Sequence, residues 1–435
     1  MRSTRYKELE VGNKKFIYND LSMSLISMNS SSEKLDGKKM KSILGAPCIE
    51  TKVNNTEPHR HINRITLCVS NNCNLRCKYC YAQGGDYGAV RSLMTIDTAK
   101  SFISFCKSNF DSINKIVFFG GEPLLNEKVI DFVCKEITNI YRGEKLKTPK
   151  FCIVTNGTIL NPVLLGVIRK YISSITVSID GPETIHDFNR IRANGKGSYS
   201  SVVNFIAEIK KIKTIELSYE ATFTQKAIKE GFDHMKLKQY LKSSFGISGA
   251  IVNDSHLDKG YALSYIDSIT REQLRESEFR CLPTEFWNIL GHLIKKNNNL
   301  FCNIGFNNIS VSVNGEIYGC HLLNEKSNCS LGNIASANLY TDMKKFKYAI
   351  SHVNKENQDC VNCWCRNLCG GCTVECFYDE KKGCFTNRPQ KEFCEFRQEY
   401  IKKILTLLVA IRTDEPLWRL LINSLNGKEL CEEYF

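Results

Sequence analysis

The chain has 435 residues, 42% of them hydrophobic and 24% charged, with a formal net charge of +13. That length suits two to three domains, and the balance is that of a globular protein able to bury a core. No run of about 18 apolar residues occurs, which excludes a membrane-spanning helix, and the opening MRSTRYKELEVGNKKF lacks the apolar core of a secretory signal.

A reducing cytoplasm is therefore the expected location, where clustered thiols serve as metal ligands or catalysts rather than disulfides. There are 21 cysteines, and eleven fall between Cys302 and Cys394. The positive charge invites an acidic partner. The lysines are scattered and no aromatic-basic stripe or nucleic-acid motif stands out, so nucleic acid is not the expected partner, and an acidic peptide segment fits the charge equally well.

In chain order, residues 1–62 form an N-terminal extension with a hairpin over Lys15–Tyr18 and Ser24–Met28, a helix near Lys34–Leu44 and a linker at Asn54–Pro58. Residues 63–285 then alternate between β-branched runs and helical patterns. The expected strands are Arg64–Ser70, Lys115–Gly121, Lys150–Gly157, Ser174–Gly181, Glu216–Thr224 and Gly246–Val252. The expected helices are Ile96–Phe110, Val129–Arg142, Pro162–Ile172, Ser198–Ile212 and Gly231–Phe245. Near-continuously apolar strands separated by helices argue for a parallel α/β sheet buried on both faces, here a partial (β/α)6 TIM-like barrel. A connecting helix over 286–300 leads to a cysteine-rich region at 301–400. Residues 401–435 are helical, continuing an amphipathic pattern over Phe396–Arg412.

Active residues in such sheets gather at the carboxyl ends of strands. Cys73–Cys80 follows the first strand, Gly120–Pro123 ends the second, Thr155–Gly157 the third and Ser178–Gly181 the fourth, so four segments converge on one rim. Cys73, Cys77 and Cys80 are soft ligands on one loop. Zinc normally takes a fourth ligand, and none lies nearby in sequence, whereas a four-iron cluster on three thiolates keeps one iron open for reaction.

CNLRCKYCYA resembles the C-x3-C-x2-C signature of radical S-adenosylmethionine (SAM) enzymes. The resemblance extends through FFGGEPLL at Phe118–Leu125, TNGT at Thr155–Thr158 and SIDGP at Ser178–Pro182. It implies a [4Fe-4S] cluster on the three cysteines. It also implies SAM held by Tyr79, Gly120, Gly121, Glu122, Pro123, Asn156, Ser178 and Asp180, with an arginine that is either Arg190 or Arg192. The acid of Glu122 and the nearby backbone carbonyls suit the ammonium of SAM.

The later cysteines resemble the SPASM extension of this family, which carries two auxiliary [4Fe-4S] clusters. By position one takes Cys302, Cys320 and Cys372, and the other Cys360, Cys363, Cys369 and Cys394. The gap between Cys369 and Cys372 is one residue short of the family pattern, which brings in Cys376 as an alternative to Cys372. Cys329, Cys376, Cys384 or an open site completes the first cluster, with Cys365 also surplus. Two C-x2-C pairs equally suit tetrahedral zinc.

The stretches YCYAQGGDYG, HDFNRIR and GKGSY are most similar to peptide maturases that install thioether links, of the sactipeptide and ranthipeptide type. That likeness implies a precursor peptide with a leader segment and a flavodoxin- or ferredoxin-type reductant. Sulfatase-maturing oxidation, carbon–carbon crosslinking and a non-catalytic iron–sulfur or zinc scaffold are the competing readings. His321, following Cys320 where the sulfatase-maturing enzymes have an aspartate, is either a catalytic base or a structural histidine. The N-terminal extension is either a leader-recognition strand edge or packing over the barrel.

Overall fold

The computed structural model describes residues 5–28, 60–246, 250–253, 259–277, 279, 281–295, 302, 304–305, 307–335 and 357–426. The helix expected near Lys34–Leu44 and the linker at Asn54–Pro58 lie outside them. The described residues fall into two compact units.

The first unit, drawn from 55–256 and 303–349, is built on one nine-stranded sheet. Its strands are β4 (His61–Ser70), β6 (Ser112–Gly120), β7 (Lys150–Thr155), β8 (Ile172–Ser178), β10 (Glu216–Thr222), β11 (Ala250–Asn253), β12 (Asn308–Val311), β13 (Glu316–Tyr318) and β14 (Ser330–Asn333). Two short strands, β5 (Leu75–Cys77) and β9 (Arg190–Arg192), pair apart from it. Six strands run parallel in the spatial order β11, β10, β8, β7, β6, β4. Each successive unit is laid beside the last, as the expected partial barrel requires.

Helices Ile96–Asn109, Glu127–Gly143, Pro162–Tyr171, Tyr199–Lys210 and His234–Phe245 link these strands. Their starts are legible chemistry. The Thr95 and Asn161 side chains accept from Thr98 N and Leu164 N, and Pro162 occupies the first turn. One sheet face, with Ile65, Leu67, Ile116, Phe118, Ile175 and Val177, is fully buried. It lies under the helices: Tyr219 meets Phe245 edge-on at 5.5 Å. The opposite face is only part-buried over much of its area and carries Phe119, Thr176, Ser178, Ser218 and Glu220.

The expected boundary at residue 301 is not a boundary of this sheet. Strand β12 pairs parallel to β4, and β13 and β14 follow antiparallel. The edge of β4 would otherwise present unpaired backbone groups, and Ile309, Val311 and Ile317 are buried by closing it.

The second unit comprises 1–54, 257–302 and 350–435. Here β1 (Tyr6–Val11), β2 (Lys14–Asn19) and β3 (Ser24–Met28) form an antiparallel sheet, and Lys391–Thr413 is a long helix. The N-terminal sheet belongs with the cysteine-rich block. The tie is Asp20, whose carboxylate is fully buried. It accepts from Arg5 Nη2 at 2.6 Å, Tyr18 OH at 3.2 Å and Asn367 N at 2.7 Å, while Asn367 Nδ2 donates to Asp20 O at 2.7 Å. Tyr18 also meets Trp364 edge-on at 6.2 Å.

Asp20→Ala leaves Arg5 and the Asn367 N–H without their acceptor. It should cost about 2–4 kcal/mol in anaerobic urea unfolding; a loss below about 0.5 kcal/mol, the range of ordinary surface changes, contradicts the tie.

Candidate functional site

The loop after β4 carries Cys73, Cys77 and Cys80, all free thiols. Backbone folds onto the sulfurs: Leu75 N lies 3.4 Å from Cys73 Sγ and Gly84 N 3.4 Å from Cys80 Sγ. The glycines expected at the end of β6 are required by this packing. A Cβ on Gly120 would stand 2.2 Å from Ser70 O, one on Gly121 2.4 Å from Asn72 O, and one on Gly85 2.7 Å from Cys73 Cβ. Gly120 also has φ +133°, open to glycine.

Burial pushes the Cys73 thiol up to about 12 and Cys77 up to about 11. Metal ligation needs thiolates, so loading the site must release protons. Among the described residues no three ligating side chains close on a single-ion site; a four-iron cluster takes thiolates spread around a cube instead. The three free sulfurs on one loop, under a backbone packed too tightly to admit a Cβ, fit such a group.

The loop is pinned at both flanks. On one side Tyr79 OH donates to Asp180 Oδ2 at 2.6 Å. Asp180, fully buried, also accepts from Arg190 Nε at 3.0 Å, Thr222 N at 3.1 Å and Asn189 Nδ2 at 3.3 Å. The Arg190 guanidinium lies over the Tyr79 ring, 5.3 Å from its centroid, and β9 pairs Arg190 with Cys77. Its charge opposes the rise of the Cys77 thiol. On the other side Glu122, also fully buried, accepts from Leu124 N at 3.0 Å, Thr155 Oγ1 at 2.7 Å and Asn156 N at 2.8 Å. Burial pushes its carboxyl up to about 7 against these donors. Asn156 Nδ2 reaches Asn74 Oδ1 at 2.9 Å and Cys73 Sγ at 3.7 Å.

The expected SAM residues are placed as follows. Asp180 and Glu122 are enclosed braces between strand ends, their carboxylates engaged by the protein itself. The undecided arginines separate: Arg190 is the one at the cysteine loop, whereas Arg192 donates to Gly197 O at 3.2 Å and Ser201 Oγ at 2.8 Å. Ser178 lies on the more open sheet face opposite Glu220, and Pro123 opens a short 3-10 turn capped by Glu122.

Sequence reasoning passed over His186 within HDFNRIR. It is buried, its Nδ1 accepts from Asp180 N at 3.4 Å and its Nε2 meets Ser198 Oγ at 3.0 Å. Ser198 Oγ in turn donates to Arg190 O at 2.6 Å. Burial pushes His186 down to about 4, so it holds the arginine segment as a neutral imidazole. His321 is set between Phe119, 4.9 Å between ring centroids, and Tyr81, 6.1 Å away. Its Nδ1 is 3.7 Å from Cys320 Sγ. Burial and then Arg64 push it down to about 4.

In the second unit burial pushes the Cys360 thiol up to about 12, and Cys369, Cys394 and Cys363 each act on it in the same direction. Cys365 Sγ lies 3.6 Å from Cys363 Sγ, Cys376 bonds Cys394 and Cys302 Sγ lies 3.1 Å from Thr373 Oγ1, beside Cys372. Arg397, paired with Glu285, also bonds Cys369. Cys329 is buried in the first unit and Cys384 is exposed in the second.

A family model described as the radical SAM superfamily matches residues 67–222. The radical SAM cyclopropyl synthase TigE of Paramaledivibacter caminithermalis is 25% identical over 355 residues, 75% of this chain and 70% of that protein. A cysteine-type anaerobic sulfatase-maturating enzyme of Clostridium novyi is 29% identical over 150 residues, 33% of this chain and 39% of that enzyme. Among solved structures, anSMEcpe with bound AdoMet superposes with a TM-score of 0.65 at 18% identity, covering 84% of this chain and 99% of the other. That likeness is one of fold.

Gly121→Ala drives a methyl into the cysteine loop and should lower stability by about 1–3 kcal/mol. Gly166→Ala, on a helix with nothing within 4 Å of the added Cβ, should be neutral or stabilising by up to about 1 kcal/mol. Equal effects in urea unfolding would deny the close approach.

Proposed function

This chain belongs to the radical SAM superfamily through residues 67–222, and we propose that it is a peptide maturase that installs thioether crosslinks, cysteine sulfur to carbon, in a ribosomally made precursor. The observation that carries the reading is the cysteine loop, pinned by Tyr79–Asp180 on one flank and by Gly121 against Asn72 on the other. Cys73, Cys77 and Cys80 would hold a four-iron cluster. When bound, that cluster with SAM on its open iron supplies the electron that splits SAM into methionine and a 5′-deoxyadenosyl radical.

The chain's own residues position and shield. With Glu122 occupied internally, backbone carbonyls at the Gly120–Gly121 strand end are left to meet the ammonium of SAM. Arg190 supplies positive charge beside Cys77, and Ser178 a hydroxyl on the open sheet face. His321 is the candidate base of this reading, with a proton affinity that burial lowers. The two auxiliary clusters expected from the later cysteines remain part of this reading, and the influence of Cys363, Cys369 and Cys394 on the Cys360 thiol supports one of them. A flavodoxin- or ferredoxin-type protein would deliver the electron.

A second reading, carbon–carbon bond formation on a peptide, draws on the match to a cyclopropyl synthase along 75% of this chain.

Reconstituted anaerobically and given SAM with dithionite, the protein should form 5′-deoxyadenosine. The Cys73→Ala/Cys77→Ala/Cys80→Ala variant should form none, and equal yields refute the site. Co-expressed with a cysteine-containing peptide encoded beside it, the enzyme should remove two hydrogens per link and leave the cysteine resistant to alkylation. A product lighter by two hydrogens with its thiol still alkylatable selects carbon–carbon chemistry; a hydrated product contradicts both.

A further inference from the structure

Strand register aligns three cations in one row across the sheet. Arg64 on β4 pairs with Lys115 on β6, and Lys115 pairs with Lys150 on β7. Residues paired in parallel strands share a face, and adjacent strands lie about 4.8 Å apart. Arg64 alternates with the helix-covered Ile65 and Leu67, so the row is on the opposite, more open face. Arg64 and Lys115 are part-buried and Lys150 is exposed.

Like charges set directly opposite one another are destabilising. None of the three forms an ion pair among the described residues. Among the described residues the side-chain bond of Arg64 runs along its own strand, from Nε to Thr66 Oγ1 at 3.2 Å. The groups that act on it electrostatically are Glu220 on β10 and the thiols of Cys68, Cys152 and Cys320. The row, near the amino ends of these strands, also runs toward the sheet edge formed by β12 and β13. Asn308 pairs with Arg64 on its other side, and continuing the antiparallel register of β13 by two residues brings Cys320 level with Asn308.

We propose that Arg64, Lys115 and Lys150 form a docking row for an acidic segment of the peptide substrate, which is thereby led to the corner of the sheet at Cys320 and His321. The inference rests on the peptide reading and adds the charge of the substrate to it. Cations on neighbouring strands present a run of positive charge to the carboxylates of an acidic peptide, and electrostatic complementarity of this kind steers and orients its approach. The row holds no aromatic ring on which a base would stack, which favours peptide over nucleic acid.

The test is anisotropy of a fluorescein-labelled hexaglutamate peptide on the full reconstituted chain at low ionic strength. Arg64→Gln/Lys115→Gln should weaken binding at least about tenfold, or about 1.4 kcal/mol. Lys128→Gln/Lys135→Gln, an exposed pair on the helix Glu127–Gly143, removes the same charge and should change it by less than about twofold, since the loss is then only long-range and screened. Arg64→Lys should retain binding. Equal weakening in both double variants, or none in the first, overturns the row. So does a single-stranded oligonucleotide of equal charge that binds more tightly than hexaglutamate and shows the same dependence on Arg64. Should the first double variant not fold, Lys150→Gln carries the comparison, with weakening expected and an unchanged affinity overturning the proposal. The assay uses neither SAM nor dithionite, so this inference and the radical chemistry fail separately.

Discussion

The architecture of the site depends on one buried carboxylate. Asp180 stands just beyond β8 with no exposure to water and four donors around it. A charge so placed is tolerable only when paired and fully hydrogen-bonded. Satisfying it draws together the cysteine loop through Tyr79, β9 through Arg190 and the end of β10 through Thr222. Neutral His186 closes the arrangement from behind by accepting from the Asp180 backbone. The loop that carries Cys73, Cys77 and Cys80 is thus positioned by interactions that contain no metal, the kind of preorganisation a reactive centre needs.

Glu122 does the corresponding work on the other flank, joining the ends of β6 and β7 through Thr155 and Asn156. The two braces free different groups for function. Enclosure of the carboxylates, with Arg190 buried against Asp180, leaves the strand-end carbonyls and Ser178 as the polar groups near the loop. Beyond them the more open sheet face carries Phe119, Thr176, Ser218 and Glu220 and ends in the row of cations. A surface graded in this way suits a polar, extended substrate better than a compact apolar one.

Much of this was legible in the residues. The six parallel strands announced themselves as short runs rich in β-branched and aromatic residues between helical patterns, and the expected helices over Ile96–Phe110 and Pro162–Ile172 begin where the structure starts them. The cysteine loop was legible from spacing, and Gly120 and Gly121 from their place at a strand end. What stayed hidden depended on partners distant in sequence. Asp180 in SIDGP reads as a turn or a ligand contact, and only the fold brings Tyr79, Arg190 and Thr222 to it. The same holds for Glu122 and Asp20. Strands β12 to β14 went unseen because three or four residues in a cysteine- and glycine-rich stretch carry too little periodicity, although β4 needed a neighbour. The cation row was invisible because alignment across β4, β6 and β7 is a property of register, not of sequence distance.

The central claim is that these three pinned thiols hold a cluster with one corner open to SAM. Electron paramagnetic resonance of the anaerobically reconstituted, dithionite-reduced protein, recorded with and without SAM, tests it most directly. The account predicts a reduced-cluster signal that changes shape when SAM is added and a SAM response that vanishes in the Cys73→Ala/Cys77→Ala/Cys80→Ala variant. A signal indifferent to SAM in the unaltered chain, or a SAM response that survives the triple substitution, would contradict it.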